Sequence, residues 1–374
     1  MRVIHFADNH LGAGSMQREQ DILDSFAATI DKIIELKPDL VINAGDLFHL
    51  VRPTNRILAF AAEQLYRLGH TAGIPTVIIT GNHDAPKQIR MGAAIEIFKD
   101  FDNIYPVYNF KYERIRIENV SVSCVPHCLT SEMLKEEQEK ITPDPQADYN
   151  ILVLHGIAER MEEFRMAQLA EQELEVSKYC HGFDYVALGH YHNFTRVQAI
   201  KEAPVYYSGS TERLSQSEAA HDKGFLEIDF SKSPVEPVFH KVKTRVMIDL
   251  PVIDARGKSA QEVENIITAA VREAEPGDKI IRQKIIGIAE ETHRTIDFKN
   301  LDKLKEESFS IDIRFEKQEK VEDNPLVEIN ISRLDFAFEQ FLESQNTDNL
   351  DKKKIAELGV AYLRRAVVDE ADNG

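Results

Sequence analysis

The sequence predicts a layered α/β protein, with one large central sheet or two sheets face to face. Short, β-branched apolar runs alternate with stretches of helical periodicity through the first 230 residues. Several of these runs end on small polar clusters rich in histidine. A length of 374 residues, 43% hydrophobic and 29% charged, exceeds one ordinary domain and suits a chain that buries a large core.

The elements follow in order. Residues 3–6, 40–42 and 76–79 are short β-branched runs of the kind that form buried strands. Between them, 20–36 and 55–68 are helical, with Ile22, Leu23, Phe26, Ile30, Ile33 and Ile34 recurring on one face. Further strands are predicted at 120–123, 151–154, 185–188 and 205–207. Residues 225–230 alternate as a half-exposed strand does. The polar Ser231-Lys232-Ser233 with Pro234 and Pro237 marks a boundary, giving a first domain over 1–235. A second α/β unit spans 241–320, with strands at 245–250, 279–288 and 309–315. Its helix opens on the capping box Ser259-Ala260-Gln261-Glu262. After the charged stretch 320–325, residues 330–374 form a helical hairpin. Leu334, Phe338, Phe341 and Leu342 make one stripe, and Ile355, Leu358, Tyr362 and Leu363 the other. The hairpin either packs on the chain's own core or docks a partner.

Met1 runs straight into an apolar strand with no basic leader, and no apolar run is long enough to span a bilayer, so neither secretion nor membrane insertion is expected. Three sparse cysteines suit reduced thiols and a cytoplasmic setting. Cys124 and Cys128 lack the second thiol pair that a zinc site needs. A net charge of −18 excludes a surface that grips nucleic acid everywhere, leaving DNA contact to metal ions, a local basic strip or a partner subunit.

Six of the thirteen histidines fall in five clusters: Asp8-Asn9-His10, Gly45-Asp46-Leu47-Phe48-His49, Gly81-Asn82-His83-Asp84, Leu154-His155-Gly156 and Gly189-His190-Tyr191-His192. Each has a plain reading alone. Asp46 is placed as a helix N-cap would be, Gly81-Asn82 is turn chemistry, and His155, His190 and His192 suit satisfied core histidines. Together, at successive strand ends, they bring hard oxygen donors and imidazoles in the number two adjacent cations need, with one carboxylate shared.

This constellation resembles the calcineurin-like metallophosphoesterases and, within them, the DNA-repair nucleases of the SbcD or Mre-eleven type. The narrowing residues are 5–12 (His-Phe-Ala-Asp-Asn-His-Leu-Gly), 45–49, 81–84 and 208–215 (Ser-Gly-Ser-Thr-Glu-Arg-Leu-Ser), then Asp222-Lys223-Gly224-Phe225. The resemblance implies two central β-sheets flanked by helices, a DNA-positioning cap over 241–320 and a partner-binding hairpin over 330–374. It implies two Mn²⁺ ions, with Mg²⁺ as an alternative. One is held by Asp8, His10, Asp46 and His192, the other by Asp46, Asn82, His155 and His190. His83 would stabilise the transition state or protonate the leaving oxygen, Asp84 would orient His83, and His49 would contact the phosphate or position the strand. Arg213 and Lys223, basic residues of late loops, are available for DNA phosphates or are ordinary surface charge.

The implied activity is a manganese-dependent nuclease of double-strand-break repair, a 3′-to-5′ exonuclease on duplex ends and a single-strand endonuclease. The implied partners are DNA, an SMC-like ATPase of the SbcC or Rad-fifty type bound through the hairpin, and a second copy in a homodimer. Two alternatives share the clusters: a small-molecule or nucleotide metallophosphodiesterase, and a non-catalytic metal-bearing scaffold.

Overall fold

The computed structural model describes residues 1–159 and 173–317, with positions 352, 354, 355 and 359 beyond them. The first sheet begins with β1 (Arg2–Phe6), β2 (Leu40–Asn43), β3 (Thr76–Ile79) and β4 (Ile104–Val107), all parallel. The second is built from β5 (Glu113–Ile117), β6 (Val120–Val125) and β7 (Tyr149–His155). A two-stranded ribbon, β8 (Ile157–Ala158) with β9 (Glu173–Leu174), intervenes before β10 (Tyr185–Gly189), β11 (Thr195–Arg196) and β12 (Val205–Tyr207) complete it. The chain then returns to the first sheet with β13 (Gly224–Asp229) and β14 (Val238–Lys241). The strand orders are β14-β13-β1-β2-β3-β4 and β11-β12-β10-β7-β6-β5.

The sheets face each other. Val3, Ala7, Ile42, Val77 and Ile79 from the first meet Val122, Val153, Tyr185 and Ala187 from the second, all buried. The outer face of the first sheet (Ile4, Phe6, Val41, Ile78) is covered by α1 (Met16–Leu36) and α2 (Asn55–Tyr66), through Ile22, Phe26, Ile30, Ile57 and Leu65. Leu152, Leu154, Val186 and Leu188 face outward from the second, against Leu134 of α3 (Ser131–Gln138) and Val176 of α4 (Val176–Tyr179). Strands buried on both faces explain why these runs are continuously apolar rather than alternating. Each such side chain contributes about 1.5–3 kcal/mol.

Seven strands escape the sequence reading, namely β4, β5, β8, β9, β11, β14 and Ile253–Asp254 further on, and two of them contain or directly follow proline. β4 carries Pro106, which an edge strand tolerates because one side of its backbone needs no partner. β14 follows the polar, proline-containing stretch 231–237. That stretch is therefore not a domain boundary but a connection inside the first sheet, since Phe225 pairs with His240 across it.

A third sheet holds β15 (Met247–Asp249), β16 (Ile253–Asp254), β17 (Gly277–Ile288) and β18 (Ser308–Lys317), with β17 central. Its own core joins Ile253, Ile281, Ile285 and Ile288 to Val263, Ile267 and Val271 of α5 (Ala260–Glu273) and to Leu301 and Leu304 further on. The capping box forms as expected, with Ser259 Oγ accepting from Glu262 N and Glu262 Oε2 from Ser259 N. Two short helices, α6 (Glu290–Arg294) and α7 (Phe298–Glu306), were not anticipated. Met1–Glu316 is one compact unit and Lys317–Gly374 another. The apolar stripes of 334–342 and 358–363 lie outside the described residues. Among the described residues, no helix is long and apolar enough to cross a membrane.

Candidate metal centre

Parallel strands deliver their carboxyl ends to one edge of the sandwich, where the histidine clusters meet. The turns after β1 and β2 are zipped together by backbone bonds, Asp8 N to Gly45 O (3.0 Å), His10 N to Asp46 O (3.0 Å) and Leu11 N to Leu47 O (2.9 Å). These bonds hold Asp8, His10 and Asp46 in the left-handed region, at φ 54°, 48° and 53°; His190 follows at 105°. Such backbone costs on the order of 1–3 kcal/mol per residue and persists only where the surroundings impose it. The approach is close enough that a Cβ on Gly45 would strike the His155 ring, and one on Gly81 would strike Asp46 Oδ1.

The second sheet supplies the opposing donors. His155, ending β7, donates Nδ1–H to Ala44 O (2.8 Å), which turns Nε2 toward Asn82 Oδ1 (3.0 Å) and Asp46 Oδ2 (3.4 Å). His190 donates its backbone N–H to both Asp8 oxygens (2.9 and 3.0 Å), and its Nδ1 lies 3.0 Å from the same Asn82 Oδ1. His10 Nε2 stands 3.2 Å from His192 Nε2 and 3.6 Å from Asp46 Oδ2. All seven sequence-predicted donors, Asp8, His10, Asp46, Asn82, His155, His190 and His192, thus converge across the two sheets.

Burial shapes their charges. It raises Asp8 and drives His10 far below the usual imidazole range, keeping that ring neutral with a lone pair to give. Burial also opposes ionisation of Asp46, but His155, His10 and His83 outweigh it and hold the carboxyl well below its ordinary value. His155 in turn, despite burial, is raised to about 9 by Asp46. Buried carboxylates facing imidazole nitrogens across 3–4 Å, in a mixed O/N set, fit divalent cations at this position.

His83 and His49 lie on the rim. Asp46 Oδ1 accepts from His83 N (2.8 Å), the His83 ring donates Nδ1–H to His49 O (3.2 Å), and the two rings stack at 5.1 Å. His10, His49 and His83 form one tight imidazole group. Asp84 does not orient His83. Its buried carboxylate accepts backbone N–H from Gly81 (2.8 Å) and Phe48 (3.2 Å), bracing the two loops, and burial with Asp46 nearby pushes it up to about 8.

The two late basic residues are also reassigned. Lys223, expected at the surface, is 1% exposed. Its Nζ pairs with Glu218 Oε2 (2.5 Å) and donates to His192 O (2.7 Å), so it reaches no phosphate. Arg213 is half-buried and engaged with Glu218 O, Thr244 Oγ1 and Arg245 O.

Sequence reasoning missed the residues that hold the donors. Glu218 Oε1 accepts His192 Nδ1–H at 3.1 Å. Asn43 donates to Asn9 (2.7 Å), which donates to Thr211 (3.1 Å), joining the first cluster to the 208–215 loop. Glu218 carries no spacing signal, and only the fold brings it to a histidine 26 positions earlier.

Comparison with known proteins shows the family. The chain belongs to the calcineurin-like phosphoesterases, whose family pattern matches residues 1–194. Its relatives fall on the SbcD or Mre11 branch. It is 30% identical to the DNA double-strand break repair protein Mre11 of Methanocaldococcus jannaschii, over 63% of this chain and 64% of that protein. It is 31% identical to Mre11 of Methanococcus maripaludis, over 71% and 74%, and 31% identical to that of Sulfurisphaera tokodaii, over 62% and 60%. The chain therefore spans less than two thirds of the length of some of these relatives. A dimetal phosphatase from Danio rerio has a TM-score of 0.37 at 9% identity, covering 61% of this chain and 92% of that one.

Proposed function

We propose that this protein is a manganese-dependent DNA nuclease of double-strand-break repair. It would act as a 3′-to-5′ exonuclease on duplex ends and as an endonuclease on single strands. The observation that carries the proposal is the convergence of Asp8, His10, Asp46, Asn82, His155, His190 and His192 at one sheet edge. Asp8, His10, Asp46 and His192 would hold one ion, and Asp46, Asn82, His155 and His190 the other, with Asp46 shared. Two divalent ions there supply Lewis-acid activation of a phosphodiester and of a water nucleophile.

The chain's own groups do the rest. His83 has its Nδ1–H committed to His49 O, so its Nε2 is the atom left to face the leaving oxygen, and it can give a proton there only when the ring is imidazolium. His49 stacks on that ring and lines the approach for the strand. Asp84 fixes the loop that carries Asn82 and His83 through Gly81 N.

Residues 241–320 would position DNA, and 330–374 would dock an SMC-like ATPase of the Rad50 type, using the two apolar stripes as anchors. Exposed Leu50, Met91 and Ile97 suit a homodimer. Met91 and Ile97 line a cavity of about 530 Å³ together with Val51 and Leu58.

End-labelled duplex DNA incubated with the protein should shorten from its 3′ ends with Mn²⁺ and stay intact with EDTA. Hydrolysis of a chromogenic phosphodiester with no action on DNA would instead identify a small-molecule phosphodiesterase.

A further inference from the structure

The metal-facing edge holds one buried ion pair that takes no part in the donor set. Glu218 is 7% and Lys223 1% exposed, and their side chains meet at 2.5 Å. Both reach His192. Glu218 Oε1 lies 3.1 Å from the ring's Nδ1, while Lys223 Nζ donates to the His192 carbonyl at 2.7 Å. An ionised carboxylate only accepts, so Nδ1 carries a proton, and in the neutral imidazole that a metal takes, Nε2 is left with the lone pair. That Nε2 is the atom facing His10 Nε2 at 3.2 Å.

Other bonds keep Glu218 from turning. Ser215 Oγ donates to Oε1 at 3.1 Å and Leu214 N to Oε2 at 3.3 Å, while Arg213 Nε donates to the Glu218 carbonyl at 3.3 Å. Arg213 also reaches Arg245 O (3.2 Å), and Val242 N donates to Lys223 O (2.8 Å). Residues 242–245 lead from β14 into β15 of the third sheet. Arg245 itself clamps Asp21 of α1 through Nε (2.8 Å) and Nη2 (2.7 Å).

We propose that Glu218, locked by Lys223, is a positioning residue of the metal centre: it fixes the tautomer and orientation of His192 and ties that donor to the segment bearing the third sheet. The inference rests on the metallonuclease reading above. It separates His192 from His155, whose Nδ1–H is fixed by a backbone carbonyl and so needs no side chain. A partner of this kind typically accounts for about 10- to 100-fold in metal affinity.

The test is calorimetric titration of the full chain with manganese chloride, alongside thermal melting without metal. Wild type should bind two equivalents; no binding would overturn the metal reading itself and this inference with it. Glu218→Gln leaves Lys223 buried without its countercharge, so it is paired with the double variant Glu218→Gln/Lys223→Met, which removes both charges at similar volume. The double variant should melt close to wild type. One manganese equivalent should nevertheless bind about 10- to 100-fold more weakly while the other is retained. A folded double variant that binds both equivalents with wild-type affinity would overturn the proposal, because a merely structural ion pair changes melting and not affinity.

Discussion

The metal-facing edge of the sandwich and the third sheet obey different rules. In the third sheet local preference and tertiary role agree. α5 starts on a capping box, its apolar face packs on β16 and β17, and its ion pairs, such as Arg272–Glu307, sit at the surface. There water screens them and they add little to stability. At the metal edge almost every preference is violated. Asp8, Asp46 and Asp84 are buried, three imidazoles crowd together, and Asp8, His10, Asp46 and His190 are held at positive φ. Four of the nine non-glycine residues at positive φ among the described residues fall in this one site. The difference teaches where to look for function: a region that departs from local preference while surrounded by well-packed core holds its geometry for a reason other than stability.

The sharpest way to break this contrast is Asp46→Ala. Removing the shared carboxylate should abolish manganese binding and reduce DNA cleavage by at least about 10²- to 10³-fold, measured by metal analysis and gel assay. Retained metal and cleavage would make the edge an ordinary polar core. His83→Gln should cost about 10²-fold in rate with metal content unchanged; metal loss would move His83 among the donors. On the other side of the comparison, Ile267→Ala should destabilise by about 2–5 kcal/mol in denaturant unfolding and leave manganese affinity alone. If affinity fell as well, the two regions would be one cooperative site.

The smallest effect concerns the clamp between them. Asp21 is lowered despite burial, by Arg245 and Arg18. Because its folded value lies below its unfolded one, its stabilisation is present above about pH 4 and is lost as pH falls through the lowered value. Proteolysis at the α1 contact should therefore quicken in acid for the wild type, and Asp21→Asn should remove that dependence.

Legibility from sequence followed the same divide. The residues that converge at the sheet edge were readable because each cluster follows an apolar run, where a strand end is legible. The capping box at 259–262 was readable because it is four residues long. Roles that depend on distant partners were not. Lys223 read as a phosphate contact or as surface charge, since its tie to the His192 carbonyl, 31 positions earlier, exists only in the fold. Asp84 was paired with its neighbour His83, when its partners are Phe48 and Gly81. β14 was hidden by two prolines that only the returning hairpin explains.

The threading of the first sheet has a temporal consequence. β1, made first, lies between β2 and β13, and the turn after it waits for His190 and His192. At roughly 5–20 residues per second of synthesis, the ribosome adds some 180 residues between the first donor and the last, or about ten seconds or more of translation. Throughout that interval the nascent chain carries half a centre with no opposing imidazoles. The converging donor set is therefore incomplete until most of the two-sheet sandwich has been made.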